Sequence, residues 1–257
     1  MIKHLRDALI PFLVLGVASL SVYAAVSSTG NAMIIASASS IVLILISSVV
    51  TTLGIWFVVN EGTNRNDTLL MLNTHLAVSL FIFTVAEVTA ILVEQFSNIQ
   101  AYIFAIAIIQ LVGSLLWAEG VFAYLYSTNK VLEFTKNQYH IPLLFSIVSS
   151  VFIIAFALVS TVQAVSVGQF LSIPIAVGFA LIIFSMSILL IYYRNGYLVI
   201  PTLLTIIGAF LLLVRTIGWG YLGIDVADPY AQMIAACGYL MLGASLAVRS
   251  EKLARIN

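Results

Sequence analysis

Long apolar runs separated by short polar segments make up almost the whole chain, and no other feature limits the possible folds as strongly. A helix needs about twenty apolar residues to cross the ~30 Å hydrocarbon core of a bilayer. We therefore expect an all-α integral membrane protein, a bundle of about eight transmembrane helices in a single transmembrane domain over residues 1–257. The predicted spans are residues 8–28, 32–59, 68–94, 100–127, 141–164, 170–193, 197–217 and 229–248.

The composition agrees with this environment. Hydrophobic residues make up 62% of the chain and charged residues 8%, so the lipid bilayer is the expected partner. The formal net charge is zero, which gives no electrostatic basis for binding nucleic acid. Cys237 is the single cysteine, so an internal disulfide is impossible.

Positive charges are distributed unequally between the two sets of loops. Short loops on the cytoplasmic side of a membrane protein accumulate Lys and Arg. With eight spans, the opposite loops contain no basic residue. We therefore expect a multi-pass protein of the cell membrane with both termini in the cytoplasm. The basic residues on the side of the termini are Lys3, Arg6, Arg65, Lys130, Lys136, Arg194, Arg249, Lys252 and Arg255.

Two charges of opposite sign fall inside predicted spans. Glu87 lies in the third span and Arg215 in the seventh, both in the half of the membrane away from the cytoplasm. A single charge near the centre of a bilayer costs at least ~2.5 kcal/mol, so a buried ion pair between the two spans is expected. This pair would be a structural clamp; contact with a charged substrate or ion is the alternative.

His75 and Glu119 form a second candidate pair. The third and fourth spans are predicted to be a hairpin that turns near Ser97, and His75 and Glu119 lie at equal distances from that turn. Equal distance implies equal depth, in the cytoplasmic half of the membrane. A histidine beside a carboxylate can transfer protons near neutral pH, or it can form an ordinary structural hydrogen bond.

Known cofactor sites find little support. A haem bound by two histidines could use only His75 and His140, but His140 lies at the mouth of the fifth span, about 10 Å nearer the surface by helix rise, so haem b is not expected. Retinal needs a buried lysine, and no predicted span contains one. Zinc-site spacings and the motifs of familiar soluble enzymes are also missing, so no metal site and no enzymatic activity are predicted.

The two halves of the chain, residues 1–128 and 139–257, are weakly similar. Residues 10–13 (IPFL) open the first span and residues 141–144 (IPLL) the fifth, and Val17 and Ser19 correspond to Val148 and Ser150 at the same spacing. A parallel repeat of four plus four spans would relate the halves by an axis along the membrane normal. Chance similarity between apolar helices is the alternative.

Two functions are compatible with these features. The first is a non-enzymatic polytopic subunit or anchor that works with protein partners in a larger membrane complex, such as a respiratory or electron-transfer complex. Short loops, few polar residues and spans without a central proline favour it. The second is a small proton-coupled carrier that uses Glu87, Arg215, His75 and Glu119, and it requires a polar cavity near the middle of the membrane.

Overall fold

The computed structural model describes residues 2–60, 68–94, 99–132, 144, 148, 167–193, 196–221 and 228–253. These residues form seven long helices, and no strand occurs among them. Each helix contains a segment long and apolar enough to cross a membrane, so the chain is a multi-pass helical membrane protein. The helices are α1 (Ile2–Ser27), α2 (Ala32–Asn60), α3 (Thr68–Glu94), α4 (Ile99–Leu132), α5 (Val167–Tyr193), α6 (Val199–Tyr221) and α7 (Pro229–Leu253).

Seven of the eight predicted spans correspond to these helices. The fifth predicted span, residues 141–164, lies outside the described residues except for Leu144 and Val148, which are helical and exposed. Helix α1 begins six residues before its predicted start, and α4 and α7 each continue five residues beyond their predicted ends. The difference that affects the site is the one in α7. The sequence predicts its end at residue 248, whereas the helix continues to Leu253.

Local side chains explain where two of the helices begin. The Asn31 side chain accepts hydrogen bonds from the backbone N–H groups of Met33 and Ile34 at the start of α2. Asp228 does the same at the start of α7, where Pro229 occupies the first helical position. Both residues cap N–H groups that have no partner within the helix. The α1–α2 turn also contains Gly30, whose positive φ of 66° is favourable only for glycine.

Six of the helices pack in a closed ring. Around the ring the order is α2, α3, α4, α5, α6 and α7, and α7 packs again on α2. Helix α1 lies outside the ring against α7 and α2, and only 6% of its apolar window is buried, compared with 78% for α7. The interior of the ring is therefore formed by six helices, and α7 is its most buried member.

The contacts between helices define the two ends of the bundle. Tyr23 near the end of α1 contacts Tyr230 near the start of α7, with ring centroids 6.5 Å apart, so these helices are antiparallel. We call the end at which α1 begins and α7 ends the terminal end, and the opposite end the distal end. Helices α4 and α5 run in the same direction, because Tyr124 and Tyr193 meet near the terminal ends of both, with their hydroxyl oxygens 2.6 Å apart.

Candidate functional site

An ion pair crosses the interior of the ring in its distal half. Arg215 of α6 donates through Nη1 to Oε1 of Glu87 on α3, and through Nη2 to Oε2 at 2.6 Å. The residues are only 9% and 2% exposed. Two parallel N–H···O bonds between a guanidinium and a carboxylate are the strongest form of such a pair, and here they link opposite helices of the ring.

The depth of this pair follows from its position along each helix. Glu87 is seven residues before the end of α3 and Arg215 six before the end of α6, which places both about 10 Å from the distal end by helix rise. The carboxylate and the guanidinium cancel each other's charge, which makes burial at this depth tolerable. The side chain of Glu94, the next acidic residue of α3, lies outside the description.

Tyr239 of α7 contributes a third hydrogen bond to the site. Its hydroxyl donates to Oε1 of Glu87 at 3.3 Å, and the residue is 1% exposed. Nothing in the sequence around this tyrosine distinguishes it from a packing residue. Tyr239 lies ten residues from the distal start of α7. Its depth is close to that of Glu87 once the distal ends of α3 and α7 are aligned, and this alignment is known only from the structure. Helices α3, α6 and α7 are thus tied together by one carboxylate.

A small cavity lies against the ion pair. It has about 20 Å³ of space for the centre of a water molecule, and one water needs about 10–15 Å³ by the same measure. Its lining contains both polar and apolar residues. The polar residues are Glu87, Gln110, Arg215, Thr216 and Tyr239. The apolar residues are Phe83, Ile175, Phe179 and Leu212.

An aromatic layer lies on the terminal side of the cavity. Phe179 of α5 contacts Phe83 of α3 at a centroid distance of 5.7 Å, and it contacts Trp117 of α4 edge-on at 6.1 Å. Phe83 fits against α4 because Gly113 lies opposite: a Cβ at that position would be 2.7 Å from the phenylalanine ring. Three fully buried side-chain polar atoms have no hydrogen-bond partner in the described structure, and two of them, Ser79 Oγ and Trp117 Nε1, belong to α3 and α4; the third is Gln232 Oε1 of α7.

A second polar cluster surrounds Arg249 near the terminal end. The Arg249 side chain is 1% exposed. It donates to Thr205 Oγ1 and, at 3.4 Å each, to the Pro201 carbonyl oxygen and Asn73 Oδ1. Ser245 adds a bond of 2.7 Å to the same carbonyl. The cluster connects α7 with the first two turns of α6 and α3.

The sequence analysis missed the burial of Arg249. It placed this residue in a cytoplasmic loop just beyond a span ending at residue 248, because an arginine near the end of a span usually reaches water. In the structure α7 continues past this point and directs the side chain into the bundle. The extra turn keeps Arg249 within the helix, and the rotation of α7 turns its side chain inwards. Polar residues at a similar depth could have predicted this burial, and these are Asn73 and Thr205 on other helices and Ser245 in α7 itself.

His75 and Glu119 are not joined as predicted. The ring of His75 bonds through Nδ1 to the carbonyl oxygen of Met71 in its own helix at 2.8 Å, and Glu119 is exposed. The predicted hairpin depth is nevertheless close, since His75 packs directly against Gly120, the neighbour of Glu119. Glu119 itself points outwards, because adjacent residues of a helix face directions about 100° apart.

The described residues suggest no cofactor site. No group of three or more His, Cys, Asp or Glu residues that could hold a metal ion occurs among them. His140, the second haem candidate, lies outside the described residues, so its distance from His75 is not defined.

Comparison with known proteins gives no relative: no protein-family model, no curated protein and no solved structure matches this chain.

Proposed function

We propose that the chain is a non-enzymatic membrane subunit, a rigid helical body that works with protein partners in a larger membrane complex. The observation that carries this proposal is the filled interior of the ring. Bulky buried side chains occupy the interior between the two polar clusters, and Glu87 and Arg215 neutralise each other's charge within the chain. Such an interior suits a body that keeps one shape. The residues that fill this region include Leu76, Leu80, Phe83, Trp117, Phe179, Ile182 and Met186.

Purification from native membranes tests this proposal. A tagged chain extracted in a mild detergent should elute with other proteins, at a mass well above the 27.8 kDa of one chain. Mass spectrometry of that fraction would identify the partners, and redox-cofactor proteins among them would support a respiratory or electron-transfer complex. Elution as a single chain, or as a multiple of 27.8 kDa without other proteins, would contradict the subunit proposal.

A proton-coupled carrier is the second candidate, and the polar cavity beside Glu87 and Arg215 is the observation that favours it. The absence of a bond between His75 and Glu119 counts against the relay this carrier would use. Reconstituted vesicles with a pH-sensitive dye inside can test it. A proton flux that is lost in Glu87→Gln, in protein that still elutes as a folded species, would favour the carrier over the rigid subunit.

An eighth span between α4 and α5 completes the proposed topology. Helix α4 ends and α5 begins at opposite ends of the bundle, which supports a further span between them. This is the role predicted for the fifth span. Reporter fusions at Lys136 and Ser166 should then lie on opposite sides of the membrane, and fusions on the same side would exclude the span.

The order of the ring supports the proposed repeat of four plus four spans. In this repeat α2, α3 and α4 would correspond to α5, α6 and α7. Rotating the ring by half a turn would then place each helix on its counterpart. The antiparallel α3–α4 contact matches α6–α7, and the parallel α4–α5 contact matches α7–α2. Glu87 and Arg215 then occupy corresponding helices and meet across the axis that relates the halves.

We further propose that the protein lies in the cell membrane and that the terminal end of the bundle is on the cytoplasmic side. The unequal distribution of Lys and Arg between the loops supports this orientation. A reporter that is active only in the cytoplasm should be active when it is fused after Asn257, and a reporter that is active only outside the cell should be inactive there. A reporter active outside the cell would reverse the orientation without changing the order of the helices.

A further inference from the structure

We propose that the cavity beside Glu87 and Arg215 is a hydration site that binds water, is entered from the distal end only, and is closed towards the terminal end by the aromatic layer of Phe83, Phe179 and Trp117. The proposal goes beyond the rigid-subunit function, because it assigns a small-molecule site to the interior. It does not depend on whether the chain has protein partners.

The hydrogen-bond capacity of the lining residues is the first argument. A guanidinium has five N–H donors. Two of the donors of Arg215 go to Glu87, which leaves three without an acceptor among the described residues. The carboxamide of Gln110 lines the same cavity, also without a partner in the described part of the chain. Buried donors without acceptors are unfavourable by about 1–3 kcal/mol each, so a ligand with an acceptor oxygen is expected.

Charge and size then select water. The ion pair is already neutral, so an added anion or cation would leave an uncompensated charge at a depth where charge is unfavourable. A neutral molecule that both donates and accepts hydrogen bonds adds no charge. The cavity, with about 20 Å³ for the centre of a water molecule, has room for one water and is too small for a larger solute.

The direction of access follows from the order of the lining residues along their helices. Phe83 lies one turn from Glu87 towards the terminal end, Phe179 one turn from Ile175, and Leu212 one turn from Thr216. Phe83, Phe179 and Leu212 therefore line the terminal side of the cavity, and Ile175 is the apolar residue nearer the distal end. Gln110 lies eleven residues from the distal start of α4 and one turn towards the distal end from Gly113, which packs on Phe83. It is therefore at about the depth of the ion pair, and it is only half-buried. Water can thus reach the pair beside Gln110 on the distal side of the aromatic rings, which block the continuation.

Cysteine accessibility in sealed membrane vesicles tests the proposal. In a Cys237→Ser background, Gln110→Cys should react with Ag⁺, a thiol-reactive ion about as small as water, added on the distal side, since only a hydrated thiol forms the reactive thiolate. Ser79→Cys, beyond the aromatic layer, is the matched control and should react at least about tenfold more slowly from either side. Adding Phe83→Ala to Ser79→Cys should make that cysteine reactive from the distal side.

Three results would overturn the proposal. Gln110→Cys could be unreactive from both sides while it reacts after denaturation, which would mean that no water reaches the cavity. Gln110→Cys could react equally well from the terminal side, or Ser79→Cys could react as fast as Gln110→Cys without Phe83→Ala, and in either case the aromatic layer would not close the cavity. Thr216→Cys replaces Gln110→Cys if that variant does not assemble, because Thr216 lines the cavity from α6.

Discussion

Glu87 and Arg215 are 128 positions apart in the chain, and they form a two-point ion pair between helices on opposite sides of the ring. Neither charge would be stable alone at this depth in a membrane. Together they connect α3 and α6 across an interior that is otherwise largely apolar. The pair therefore restricts which arrangement of the helices is possible, since other arrangements would leave two buried charges unpaired.

Removing one member of this pair should be more damaging than replacing both. Arg215→Ala leaves a buried carboxylate without its partner, and breaking a buried pair in this way destabilises a protein by about 3–5 kcal/mol. A double variant, Glu87→Leu with Arg215→Met, leaves no charge and should recover most of that loss. Thermal unfolding followed by size-exclusion chromatography in detergent measures both. Equal losses in the single and double variants would show that the pair does not stabilise the fold.

The same substitution at two carboxylates should have different effects. Glu87→Gln removes the negative charge opposite Arg215 and should lower the unfolding temperature clearly, because a buried guanidinium is left unpaired. Glu119→Gln changes an exposed side chain with no hydrogen-bond partner in the described structure, so stability should change by less than about 0.5 kcal/mol. Unfolding temperatures of both proteins, prepared in parallel, provide the comparison. A large loss of stability in Glu119→Gln would indicate that Glu119 does have a partner, as the sequence predicted for His75.

Two glycine substitutions should separate close helix contact from helix propensity. A Cβ on Gly120 would overlap the Cβ of His75 and lie 2.7 Å from its Cγ, so Gly120→Ala should force α3 and α4 apart and destabilise by about 1–3 kcal/mol. A Cβ on Gly16 would lie 3.5 Å from Leu240, an ordinary contact, so Gly16→Ala should be neutral or stabilising by up to about 1 kcal/mol. Melting curves that rank the two variants in the reverse order would contradict the α3–α4 register.

Arg249 should be required for the terminal end of the bundle to assemble. Arg249→Ala removes the bonds to Thr205, Pro201 and Asn73, and should reduce both stability and yield. Arg249→Lys keeps the charge but lacks the planar fork that reaches several acceptors at once, so its loss should be intermediate. Expression level and unfolding temperature are the measurements. Wild-type values for Arg249→Ala would place this side chain outside the bundle.

Much of the architecture could be predicted because the bilayer restricts the conformation of each segment separately. A backbone in the bilayer must satisfy its hydrogen bonds within one segment, so long apolar runs become helices, and seven of the predicted spans match helices of the structure. Glu87 and Arg215 could be identified for a related reason, since pairing is one of the few ways in which two opposite charges within apolar runs can be stable in a membrane. Tyr239 could not be identified, because a tyrosine in an apolar run also fits simple packing.

The sequence by itself determined the positions of seven helices, the hairpin of α3 and α4, and which two charges require a partner inside the membrane. These properties depend on local hydrophobicity and on the high free energy of an isolated charge in lipid, and both can be evaluated segment by segment. Only the tertiary structure decided which face each helix turns inwards. Burial of Arg249 and exposure of Glu119 both follow from that rotation. Rotation depends on contacts between helices, both neighbours in the chain, as in the packing of Gly120 on His75, and distant ones, as in the bond from Arg249 to Asn73.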